Sequence, residues 1–164
     1  MNNKKGFTLV ELLAVIVVLA IIILVAMPNV LSAMDKARRN ALVTEASEFA
    51  KIAQAAYSDD AMNGGLTTGN SETGYCYSMD YLINKGYMDK KKGGNDHGSV
   101  LLQVSNTGET TYTIWLSNGT YSINGRNVKD ITATGKDGGN PAKAYLEDGG
   151  NASDNCGSQG TLRS

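Results

Sequence analysis

One histidine, His97, is all that 164 residues contain of that type, and one tryptophan, two prolines and two cysteines keep it company. So little histidine leaves almost no material for acid–base or zinc chemistry. With only His97, the chain holds no Ser-His-Asp set, no Cys-His pair in a convincing context and no phosphate-binding loop, so no catalytic residue is assigned and enzymatic function is not expected. An excess of basic charge is missing too: 15 Lys and Arg stand against 16 Asp and Glu, with a pI near 5.8. A general nucleic-acid binder is normally basic over its whole domain. No EF-hand spacing is present, and no cofactor or metal is expected.

What the chain does have is one long apolar run. Leu12 to Met27 is sixteen uninterrupted apolar residues, and from Phe7 onward only Thr8 and Glu11 interrupt it. Twenty-one helical residues cover about 31 Å, enough for a bilayer core. Lys4 and Lys5 precede the run, so the positive-inside tendency sets the N-terminus in the cytoplasm and the remainder outside. A cleaved secretory signal would have a shorter uncharged core and a small-x-small cleavage site. Here the run holds Glu11 and passes Pro28 into further helical sequence, and Leu31-Ser32-Ala33 is a poor cleavage site. Glu11 is the anomaly, since a carboxylate costs roughly 2.5–3.5 kcal/mol or more at a bilayer centre and is usually kept for function.

Beyond Pro28, which should kink the helix without ending it, helical periodicity continues. Val30, Met34, Ala37 and Ala41 form one stripe, and Ala46, Phe49, Ala53 and Ala56 continue it on a drifting face. Asn63-Gly64-Gly65 ends a helix of about fifty residues. From Leu66 to about Gly98 the chain reads as an irregular connection, with a short helix in "SMDYLINKGYM" that has Ser78 as N-cap and Gly86 just past its end. Strands follow at 99–104, 109–116, 120–124 and 128–132, with Asn118-Gly119 as a two-residue hairpin turn. The remainder after the apolar run, about 110–135 residues, is enough to fold alone. The expected fold is α+β: a long N-terminal helix, membrane-spanning in its first half and amphipathic in its second, packed on a three- to four-stranded antiparallel meander. The glycine-rich tail from Ile131 has too few apolar residues to hold itself down. Cys76 and Cys156, an even pair outside the apolar run, suggest a disulfide in an oxidising compartment.

"KKGFTLVELL" followed by an apolar run resembles the N-terminus of type IV prepilins. The resemblance rests on basic residues, Gly6 before the cut, Phe7 after it, Glu11 at the fifth position thereafter, and Pro28. It implies cleavage between Gly6 and Phe7 by a membrane aspartyl prepilin peptidase and N-methylation of Phe7. Residues 1–6 are then a leader, 7–28 a membrane-spanning and filament-core helix, and 29–164 an extracellular globular domain that includes the second half of the helix. It further implies a homo-oligomeric helical filament, built by assembly machinery in the membrane and serving adhesion, motility or DNA uptake. Glu11 would be the assembly residue, partner of a neighbouring subunit's Phe7 amine; Phe7 and Glu11 also sit at i and i+4, so a pair within one chain fits the spacing. A pseudopilin of a type II secretion or competence apparatus is the alternative reading.

Several residues carry weaker second meanings. His97 as a lone loop histidine is expected to be solvated. Asp137, Asp148 and Asp154 lie in a tail rich in the oxygen donors that calcium takes. Lys90 to Lys92 offer DNA phosphates a contact, which makes nucleic acid a weakly supported partner. Asn118-Gly119-Thr120 and Asn151-Ala152-Ser153 fit the glycosylation pattern, and Trp115 reads as a core or sheet-face residue.

Overall fold

The computed structural model describes residues 7–64, 66, 74–89, 95–132, 146–158 and 161–163. The chain divides into two compact units, Met1–Ala37 and Arg38–Ser164, and helix α1 (Leu9–Met62) contributes to both. α1 runs through Pro28, whose ring removes the amide that Leu24's carbonyl would otherwise accept from.

In the first unit the large side chains of α1 stand in solvent. Leu12, Ile16 and Ile23 each keep more than half of their surface. The expected stripe of Val30 and Met34 is exposed as well.

In the second unit α1 buries Leu42, Ala46, Phe49, Ala50, Ala53 and Ala56. Steps of three and four residues put five of these on one face. Ala at 46, 53 and 56 lets the backbone approach the sheet closely, while Phe49, 1% exposed, fills the space between. Opposite them lie Tyr77, Val100, Ile114, Leu116 and Ile123.

Those residues come from β1 (Tyr75–Ser78), β2 (His97–Val104), β3 (Thr110–Ser117) and β4 (Tyr121–Asn127). β2, β3 and β4 form the antiparallel meander that turn chemistry implies. Asn118 closes the β3–β4 turn by accepting the amides of Thr120 and Tyr121 at 3.0 and 2.9 Å. The full sheet has six strands in the order β5-β4-β3-β2-β1-β6. β5 (Glu147–Asp148) pairs antiparallel with β4, and β6 (Thr161–Arg163) runs parallel to β1. Gly98 makes β2 possible at its start: a Cβ there would stand 2.1 Å from the Trp115 carbonyl oxygen.

Two segments differ from expectation. Tyr75–Ser78, read as irregular, is strand β1, and Val128–Thr132, read as a strand, is helix α3. Val128 and Ile131 are three residues apart, a helical spacing, and the Asn127 side chain accepts the Lys129 amide at 2.9 Å. The short helix α2 (Met79–Asn84) follows expectation: the Ser78 hydroxyl accepts the Tyr81 amide, and Gly86 takes φ +79° just beyond the end.

Candidate assembly site at the head of the long helix

Thr8 is the N-cap of α1. Its carbonyl accepts the first intrahelical bond, from the Leu12 amide at 3.2 Å. Its hydroxyl accepts the Glu11 amide at 3.3 Å and donates to Glu11 Oε2 at 2.9 Å. The Thr8 amide donates to the same Oε2 at 2.8 Å. This is a capping box, in which the N-cap and the third helical residue satisfy each other's otherwise orphaned amides. A carboxylate in the first turn also faces the positive end of the helix dipole. The sequence carries this signal as Thr-x-x-Glu ahead of an apolar run, so Thr8 is a cap as well as a polar interruption.

The consequence is chemical. Both bonds end on Oε2, and Oε1 takes neither. Glu11 therefore has one carboxylate oxygen satisfied within its own turn, with Oε1 outside those bonds. Phe7, next to the cap, is 85% exposed. Gly6 lies outside the described residues. Behind this head, α1 is long and apolar enough to cross a membrane by length and composition. An apolar surface of this extent on a single chain marks a membrane or protein contact.

Residues 1–27 match the prokaryotic N-terminal methylation motif. This motif is the class III leader of type IV pilins. It implies processing by prepilin peptidase and pilus-type assembly, and with the apolar helix behind it, membrane anchoring. Families with this pilin-like motif consist of structural subunits. No curated protein and no solved structure shows significant similarity to the chain.

Away from the head of α1, a second arrangement holds down the C-terminal segment. The Cys76 and Cys156 sulfurs are bonded at 2.07 Å, across a separation of 80 residues. They pack with Leu101 and Trp115 on the sheet face opposite α1, so Trp115 is a sheet-face residue. Buried Ser99 donates to the Ser153 carbonyl at 2.6 Å and accepts the Cys156 amide at 2.8 Å. His97 Nε2 accepts the Ala152 amide at 3.3 Å, while Nδ1 lies 3.0 Å from the Asn95 carbonyl. With Nε2 accepting, Nδ1 is the ring nitrogen that donates to that carbonyl. His97 therefore sits at the start of β2 and binds the tail, where a solvated loop residue was expected. Nothing in the sequence marked Ser99 for its role.

The remaining candidates do not converge. Asp137 and Lys90 to Lys92 lie outside the described residues. Asp148 is in β5 and Asp154 is exposed in the turn before Cys156. Among the described residues, no group of three His, Cys, Asp or Glu side chains is placed to hold a metal ion. The Asn118 side-chain oxygen is engaged in its turn, and Asn151 is exposed.

Proposed function

We propose that this chain is the structural subunit of a type IV pilus, cut between Gly6 and Phe7 and N-methylated on Phe7. It is held in the membrane by its first helical segment, N-terminus cytoplasmic, until it joins a homo-oligomeric extracellular filament. The observation that carries this reading is the methylation motif over residues 1–27, whose only carboxylate, Glu11, is bonded within the first turn of α1.

Cleavage turns the Phe7 nitrogen into a cationic amine, and methylation keeps the charge. Inside a bundle of apolar helices an unpaired amine and an unpaired carboxylate are each costly, and a pair offsets that cost. Glu11 Oε1 is the acceptor for the amine of a neighbouring subunit, while Thr8 keeps Oε2. The pair sets axial register, and Leu, Ile and Val supply packing without direction. Adhesion, motility and DNA uptake are the activities such a filament would serve.

The disulfide and the Ser99 and His97 bonds suit an exported domain, because they fasten a tail that has little core of its own. A pseudopilin would share the leader and the anchor. The separating experiment is shearing of surface filaments from the producing cells, followed by mass spectrometry of their main component. This chain as the abundant subunit of long filaments supports the pilus. Its confinement to the membrane fraction, with no long filaments, supports the pseudopilin.

A further inference from the structure

An open groove of about 400 Å³ lies beside α1 in the second unit. Phe49 and Met79, 1% and 5% exposed, form its floor. Along α1 its rim is a single stripe in which Ala41 and Thr44 are small and Glu45 and Glu48 are acidic. Small residues on a helix stripe let a second helix approach, since interaxial distance depends on the side chains at the contact.

Glu48 is exposed and has no ion-pair partner among the described residues, and the same holds for Lys51 one turn on. Arg38, also on α1, is exposed and likewise lacks a partner among the described residues. Ten residues of helix separate Arg38 from Glu48, about 15 Å along the axis. They cannot meet within one chain. Two parallel copies displaced by that distance would bring them together.

We propose that the groove receives α1 of a second copy, displaced by about 15 Å along the axis, with Arg38 of that copy pairing with Glu48 of the first. The apolar floor beneath the rim excludes water from one side of the pair and so weakens screening. The contact is heterologous, because one copy offers Arg38 and the other Glu48. Repetition of the same displacement generates an open filament instead of a closed dimer. The proposal rests on the copy-to-copy assembly inferred above; the Phe7–Glu11 pair spans only four helical residues, about 6 Å, so the groove contact joins a different pair of copies in that assembly.

The test uses the full chain in its producing cells. Arg38→Glu and Glu48→Arg each place like charges at the contact, which disfavours it. Each should lower the yield of sheared filaments roughly tenfold or more. The double variant Arg38→Glu/Glu48→Arg should recover most of the yield. In parallel, cells co-expressing Arg38→Cys and Glu48→Cys chains are oxidised and run on non-reducing gels, from both filament and membrane fractions. Covalent dimers that need both variants support the pair.

Single reversals at normal yield, without mixed dimers in either fraction, overturn it. Reversals that both fail, with no rescue and no mixed dimers, overturn it equally and assign the groove to a different occupant. Mixed dimers in membranes of cells without filaments would keep the pair and remove the pilus reading, so the two failures are distinguishable.

Discussion

At the scale of single residues, the head of α1 works because two side chains share one turn. Thr8 and Glu11 exchange three hydrogen bonds between 2.8 and 3.3 Å. Thr8→Ala removes the hydroxyl and costs the cap about 0.5–2 kcal/mol. The carboxylate loses one of its two donors. Filament yield should fall while processing continues, and Thr8→Ser should restore it. Equal yields from Thr8→Ala and wild type would show that the box is dispensable. A second residue-scale prediction lies in the globular unit, where the Tyr87 hydroxyl donates to Asp59 Oδ2 at 2.9 Å. That bond, with burial and the nearby carboxylates, pushes the phenol from 10.0 up to about 12. A raised value means that the contribution is intact below pH 10 and is lost as pH climbs towards about 12. Tyr87→Phe should therefore be less stable than wild type at neutral pH, with the gap narrowing across that alkaline window in thermal melts. A gap independent of pH would contradict it. The two residues were unequally legible in sequence. The spacing of Glu11 from Phe7 is plain in the sequence, whereas the Thr-x-x-Glu spelling of its bond to Thr8 sits at the head of an apolar run in which both residues register only as polar interruptions.

At the scale of elements, legibility followed periodicity and length. The buried stripe Ala46, Phe49, Ala53, Ala56 was visible because α1 repeats it over several turns. The meander was visible because Tyr112, Ile114 and Leu116 alternate and Asn118-Gly119 closes the turn. β1 has four residues, β5 two and β6 three. Strands so short carry no period of their own, and partners far along the chain define them. Tyr75 pairs with Thr161 and Leu102, contacts that no local pattern encodes. Val128–Thr132 was misread because five residues with β-branched ends fit either state until the Asn127 cap decides. The sheet's second face depends on the tail, and the disulfide fastens it there. Removing a link across 80 residues costs about 4–5 kcal/mol in the chain-entropy account. Cys76→Ser should lower the melting temperature of the full chain in detergent and make the tail the first site of limited proteolysis. Unchanged melting, or alkylation of both thiols in native filaments, would remove this role.

At the scale of the whole molecule, the two units have different solvents. Residues around Leu12 to Met27 need lipid or other helices, and the sheet unit carries its own core. The proposed function orders three events on these units: export of the sheet unit, cleavage, then assembly. The mature N-terminus should be methylated Phe7, and loss of Lys4 and Lys5 should move the net charge from −1 towards the acidic side. Gly6 replaced by a bulky residue should leave full-length precursor in the membrane and no filaments. N-terminal sequencing that began near Ala33 would instead indicate an ordinary signal-peptidase cut. The central claim is that Glu11 accepts the amine of a neighbouring Phe7, and the most direct measurement is the yield of surface filaments built wholly from Glu11→Val chains. Such chains should be inserted and processed, since the segment becomes more apolar, yet assemble poorly, with Glu11→Gln between them and wild type. Filaments of Glu11→Val protein at the wild-type yield would contradict the pairing and leave Glu11 as a helix cap alone.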